Sequence, residues 1–208
     1  MSNKDKPTRM EPDDRQQQIV RVAAAHFARH GYDKASMAGI ASEAGVTRAL
    51  VYHYFSGKAG LLEAVLRSES DVLLAATLFD PKLSPLDNIR VAIRAYLDHF
   101  SPEKGRSINM HLQATAQPVM VGDVARANHD ILAQRITALL ALSGDRLVQG
   151  AINAWLEFVT TLTAEVADAP GIDREMVVEL SIRTLLVATN AAPDNTKASP
   201  LSHRKEDQ

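Results

Sequence analysis

Few side chains in this sequence stand in patterns that do chemistry. His26 and His30 lie four residues apart, a spacing that can bind a metal from one helical face. No third carboxylate or histidine stands beside them in sequence, and two ligands alone make a poor site. Phe27 between them implies that one imidazole packs at the core edge and the other faces water. Asp98 and His99 resemble part of a base-orienting pair, but no nucleophile accompanies them. The chain has no glycine-rich phosphate loop, no H-E-x-x-H and no G-x-S-x-G. It has no cysteine, which excludes disulfides, thiolate metal sites and cysteine nucleophiles. An enzyme is therefore not expected, and neither is a cofactor or a metal. Thr47, Arg48 and Ala49 suit recognition instead. At the start of a short helix, an arginine can bridge O6 and N7 of a guanine, and an alanine can touch a thymine methyl.

These residues need elements to position them. Prolines and glycines divide the chain into segments with helical apolar spacing and no strand-like alternation. The 31 alanines are spread through those segments and favour helix. The reading is an all-α chain of about nine helices, near 13–30, 36–44, 47–54, 58–79, 86–100, 106–117, 123–142, 145–168 and 173–190. Ser36 and Thr47 are placed to cap the second and third. On the first helix Ile19, Val22, Ala23, His26 and Phe27 form one stripe. On the second, Met37, Ile40, Ala41 and Ala44 face inward. Leu50, Val51 and either Tyr54 or Phe55 do so on the third. Two short helices joined by Gly45-Val46-Thr47 make a helix-turn-helix, with Gly45 where the turn needs a left-handed backbone.

The run G-Y-D-K-A-S-M-A-G-I-A-S-E-A-G-V-T-R-A-L-V-Y-H-Y-F-S-G-K-A-G-L-L, residues 31–62, carries a resemblance. Gly31, Ser36, Ile40-Ala41, Ala44-Gly45-Val46, Tyr52, Phe55, Lys58 and Leu61-Leu62 fall at the spacing of the DNA-binding signature of TetR-type (TetR/AcrR) bacterial transcriptional regulators. The resemblance implies DNA contacts by Ser36, Thr47, Arg48, Ala49, Tyr52, His53, Tyr54 and Lys58. Ser36 and Lys58 also open helices, whose backbone amides favour an anion. The charge distribution agrees independently. The net charge is −2 overall, yet residues 13–60 hold a basic surplus of two and residues 61–208 carry −5.

The expected organisation follows. Residues 1–12 read as a disordered arm, 13–57 as the helix-turn-helix domain, 58–191 as a ligand-binding and dimerisation domain, and 192–208 as a disordered tail. One helix-turn-helix reads one half-site, so a palindromic operator requires a homodimer. The last two helices carry more apolar surface than one core needs. Leu147, Ala151, Leu162, Val177 and Leu185 are the candidate interface residues, and the resemblance agrees with this use of those helices. A small, largely apolar effector would sit among Tyr96, Phe100, Met110, His111, Gln113, Met120, Trp155 and Phe158. Arg135 lies on an apolar face. It either holds an anionic ligand or buried carboxylate, or packs its stem and sends its head to water.

No run is long and apolar enough for a membrane span, and no signal core opens the chain, so a cytoplasmic location without membrane contact is expected. The resemblance implies a ligand-responsive repressor. Two other readings stay open: a DNA-binding regulator with no small effector, and a helical enzyme or metal-binding protein that retains the helix-turn-helix.

Overall fold

A computed structural model describes residues 11–100, 118–166, 169 and 171–190. Among these the chain is all-helical, with α1 Pro12–Lys34, α2 Met37–Glu43, α3 Arg48–Tyr54, α4 Lys58–Ala76, α5 Pro85–His99, α6 Pro118–Leu139, α7 Arg146–Val166 and α8 Arg174–Thr189. The helix expected over 106–117 and both expected tails lie outside the described residues, apart from Glu11 and Pro12. The helix expected from residue 123 already includes Pro118, the first described residue of this stretch. Gly122, read as a breaker, lies within α6.

The chain divides into two compact units. One comprises Met1–Asp71 and Arg106–Val124, the other Val72–Gly105 and Ala125–Gln208. Both α4 and α6 contribute residues to each unit.

The core of the first unit holds Ile19, Ala23 and Phe27 from α1, Ile40 and Ala41 from α2, Val51 from α3, and Leu61, Leu62, Val65 and Leu66 from α4. Each large apolar side chain buried there contributes about 1.5–3 kcal/mol relative to exposure. Phe55 is buried, whereas Tyr54 is half-buried at the core's edge. Polar contacts also join α1 to α2. His26 is buried, with Nδ1 2.9 Å from Glu43 Oε1, and Arg29 donates to the other Glu43 oxygen. The hydrogen bond from His26 and the charge of Arg29 hold the Glu43 carboxyl below its ordinary pKa.

The second unit packs α5, the C-terminal part of α6, α7 and α8 around Ile89, Ile93, Leu132, Ile136, Ile152, Trp155, Val178, Ile182 and Leu185. Trp155 Nε1 donates to the Ser181 carbonyl at 2.7 Å, so the indole pins α7 to α8 without an unmet donor. Arg90 reaches Glu179 at 2.8 Å, and Arg94 grips both oxygens of Glu175, which fixes α5 against α8. Buried Asn88 accepts from the Asp80 amide and donates to the carbonyls of Asp80, Leu83 and Ser84, so it orders the turn before α5.

Candidate nucleic-acid interface and effector cavity

The turn between α2 and α3 is set by local chemistry. Gly45 has φ +66°, a left-handed value that glycine adopts without a Cβ penalty. The Val46 amide donates back to the Ala41 carbonyl at 3.0 Å and the Gly45 amide to that of Ser42 at 3.2 Å. This pair of reversed bonds satisfies the last carbonyls of α2 and stops it. Thr47 then starts α3, its hydroxyl accepting from the Leu50 amide at 3.2 Å. Ser36 does the same for α2, accepting from Gly39 at 3.0 Å.

Helical periodicity sorts the seven residues of α3. Val51 is fully buried, so the opposite face must point outward. Thr47, Arg48, Ala49, Tyr52 and His53 are all exposed. The Arg48 guanidinium lies 5.4 Å from the centre of the Tyr52 ring, with Nη2 3.4 Å from the phenolic oxygen. The arginine therefore rests along an aromatic platform at the start of the helix. The His53 ring meets Tyr54 edge-on at 5.4 Å.

Lys58 has an intrachain role that its spacing did not reveal. Its Nζ donates to the carbonyls of Tyr32 at 2.8 Å, Ala35 at 3.2 Å and Asp33 at 3.3 Å, and lies 4.4 Å over the Tyr32 ring. The ammonium thus caps the end of α1. What Lys58 can still offer an anion is its backbone amide in the first turn of α4.

In the second unit, α5, α6 and α7 surround a cavity of about 50 Å³, lined by Thr77, Ile89, Tyr96, His129, Trp155 and Thr160 among others. Its wall is almost wholly apolar. The Tyr96 hydroxyl is paired with Thr160 Oγ1 at 3.0 Å, and burial pushes the phenol up to about 12. Burial also pulls the His129 imidazole below its ordinary pKa, although Glu157 Oε1 lies 3.3 Å from Nδ1 and opposes the shift.

Of the effector residues expected from sequence, Tyr96 and Trp155 line this cavity. Phe100 is buried with its ring 4.7 Å from that of Tyr96, and Phe158 packs half-buried on the second core; neither is a lining residue. Met120 packs against the core of the first unit instead, because α6 leaves that unit only at Val124. Arg135 is engaged within the chain. Its Nη1 donates to the Leu74 carbonyl at 2.8 Å, so it ties α6 to the end of α4 and is not on the cavity wall. Met110, His111 and Gln113 lie outside the described residues. Sequence reasoning missed His129 and Thr160. The signal for His129 was its register: it precedes Leu132 by three and Ile136 by seven, on the same buried stripe.

The candidate interface residues also divide. Leu147 is 82% exposed, and Ala151 and Leu162 are half-buried. Val177 and Leu185 are enclosed in the unit's own core and have no surface left for a partner. The large apolar side chains that α8 exposes are Met176, Leu180 and Val187. No helix among the described residues is long and apolar enough to cross a membrane.

Residues 19–65 match the family model described as bacterial regulatory proteins, tetR family. Over 87 residues the chain is 36% identical to the HTH-type transcriptional regulator BetI of Vibrio atlanticus, which covers 42% of this chain and 44% of that protein. It is 43% identical over 53 residues to BetI of Yersinia pestis, covering 26% and 27% of the two chains. The matched part spans less than half the length of these curated relatives. A tetR-family transcriptional regulator from Streptomyces coelicolor superposes with a TM-score of 0.71 at 22% identity, over 89% of this chain and 86% of that one. The fatty acid degradation regulator FadR from Bacillus halodurans does so with a TM-score of 0.68 at 16% identity, over 86% and 97%. These two likenesses establish the fold.

Proposed function

For a chain with the TetR fold and a TetR-type helix-turn-helix DNA-binding domain at its N-terminal end, we propose the function of a ligand-responsive transcriptional repressor that reads a palindromic operator as a homodimer. One observation carries the reading: α3 buries Val51 and turns Thr47, Arg48, Ala49, Tyr52 and His53 outward together. In the major groove, Arg48 reads a guanine edge and Ala49 a thymine methyl, while Thr47, Tyr52, His53 and Tyr54 take phosphates or base edges. Ser36 and Lys58 hold phosphates through the amides of the helix starts they open. The Lys58 ammonium, engaged with three carbonyls, keeps α1 in place for that task.

Dimerisation supplies the second half-site. The exposed apolar residues Leu147, Met176, Leu180 and Val187 on α7 and α8, with half-buried Ala151 and Leu162, are the proposed contact with a second copy. The effector is small and mostly apolar, to suit the walls around Tyr96 and Trp155. The cavity of about 50 Å³ is well below the range of roughly 300–1,000 Å³ that drug-sized ligands occupy. Binding must therefore push the walls of α5, α6 and α7 apart. That requirement couples occupancy to conformation. We assign transmission to α4, which contributes residues to both units. A coupling of about 1–3 kcal/mol changes operator affinity by about 5- to 150-fold.

The small cavity volume is also the observation that favours a regulator without a small effector. Screening apolar ligands for release of bound operator separates the two readings. The DNA-reading role itself is tested by Arg48→Ala. Affinity for the preferred duplex should fall while affinity for random duplex changes much less; equal losses on both would remove the base-reading role.

A further inference from the structure

We propose that His26, His30 and Glu43 form a binding site for a divalent first-row transition metal of the zinc class, which clamps α1 to α2. The sequence presents two imidazoles and no third ligand. Folding supplies that ligand from seventeen residues away: Glu43, the last residue of α2, places Oε1 2.9 Å from His26 Nδ1. The imidazoles of His26 and His30 share one face of α1, with ring centres 4.5 Å apart. One ligand atom from each of the three residues lies within 4.8 Å of the other two.

Two imidazole nitrogens and one carboxylate oxygen form a ligand set that zinc uses in open sites, where water takes the fourth position. Harder ions such as magnesium and calcium prefer all-oxygen sites, so the two nitrogens select for the transition series. Metal–ligand bonds of about 2.0–2.1 Å in a tetrahedron put the ligand atoms roughly 3.3 Å apart. The His26–Glu43 contact is near that spacing, and no other separation has to close by more than about 1.5 Å. The residues that must move are the ones able to do so, since His30 and Glu43 are both exposed.

His26 is the fixed ligand. It is buried, and Gly39 lies so close that an added Cβ would sit 2.9 Å from Cε1. A side chain at position 39 would turn the ring; glycine leaves it with Nδ1 facing Glu43. Coordination through Nδ1 requires the hydrogen shared with Glu43 to leave that nitrogen, so the metal-bound imidazole carries its single proton on Nε2. Arg29, which donates to the second Glu43 oxygen, orients the carboxylate from outside the site. Its positive charge also lowers the affinity for any cation, which sets the site apart from a permanently loaded structural centre. The inference concerns the first unit alone and stands whether or not that unit binds DNA.

The test uses the tag-free full chain, stripped with a chelator and titrated with Zn²⁺ alone by calorimetry. Co²⁺ titrated separately reports coordination number through its visible absorption. Wild-type chain should bind one ion saturably, show a four-coordinate Co²⁺ spectrum, and gain several degrees of thermal stability. His30→Ala and Glu43→Gln should each weaken binding by at least ~10-fold and abolish the thermal gain. Both replace exposed side chains, and the glutamine retains a hydrogen-bond partner for His26. Absence of saturable Zn²⁺ binding would overturn the proposal, as would wild-type binding in both His30→Ala and Glu43→Gln.

Discussion

Replacing Lys58 with methionine separates two roles that the sequence merges. The Lys58 ammonium has three N–H donors, and three carbonyls accept them, from Tyr32, Ala35 and Asp33 at 2.8, 3.2 and 3.3 Å. A charged donor contributes about 1.5–3 kcal/mol in a good hydrogen bond, and longer bonds at a half-exposed site contribute less. Its position over the Tyr32 ring adds about 0.5–1 kcal/mol. Methionine preserves most of the stem and its packing. The expected loss is therefore about 2–3 kcal/mol, or a drop in Tm of roughly 4–12 °C for a chain of this size. Urea and thermal denaturation measure it. The backbone amide at the start of α4 remains in the variant. At a temperature well below the transition, operator affinity should therefore change little, and the salt dependence of binding should keep its slope. If the ammonium were a phosphate ligand instead, the slope would fall by about one and stability would stay within about 0.5 kcal/mol. That result would refute the capping argument.

Other outcomes follow from the same geometry. Thr47→Ala removes the hydroxyl that accepts from Leu50 and should cost about 1 kcal/mol in urea denaturation, with Thr47→Ser recovering most of it. Arg48→Ala should cost about 1–3 kcal/mol of discrimination at one base pair, measured by competition between single-substituted duplexes. Tyr96 keeps its phenolic proton to about pH 12 in the folded chain, while an unfolded tyrosine loses it near pH 10. The unfolded state binds fewer protons between these values, so stability should decline as pH rises from 10 to 12. Tyr96→Phe should remove that component of the decline. Leu147→Glu, which puts a charge on a side chain 82% exposed in one chain, should leave the fold intact and shift sedimentation toward monomer.

The helix-turn-helix was legible because its signals are local. Ser36 and Thr47 cap helices, Gly45 has the only positive φ in the turn, and the apolar positions of α1 to α3 repeat at helical spacing within thirty-odd residues. Each of these can be read from neighbours a few residues away. The cavity and the metal-ligand cluster depend on distant segments meeting. Tyr96 and Thr160 are 64 residues apart, and nothing in either neighbourhood announces the other. His26 and Glu43 meet because α2 crosses α1, which the periodicity of each helix alone does not specify. Lys58 shows a different limit. Spacing identified the position, yet whether its ammonium faces outward or back to α1 depends on where the Tyr32, Asp33 and Ala35 carbonyls end up. On α8, Val177 and Leu185 are as apolar as Met176 and Val187. Only packing against α5 and α7 decides which pair stays exposed.

The most direct test of the central claim is selection of bound duplexes from a random pool by the full chain, followed by titration of the selected DNA at two salt concentrations. A dimeric operator reader should enrich a palindrome whose half-site centres lie about one helical turn or a multiple apart. Its affinity should fall steeply with salt, as release of phosphate counterions requires. Recovery of unenriched sequences, bound weakly and equally, would contradict the assignment of the outward face of α3 to sequence-specific DNA recognition.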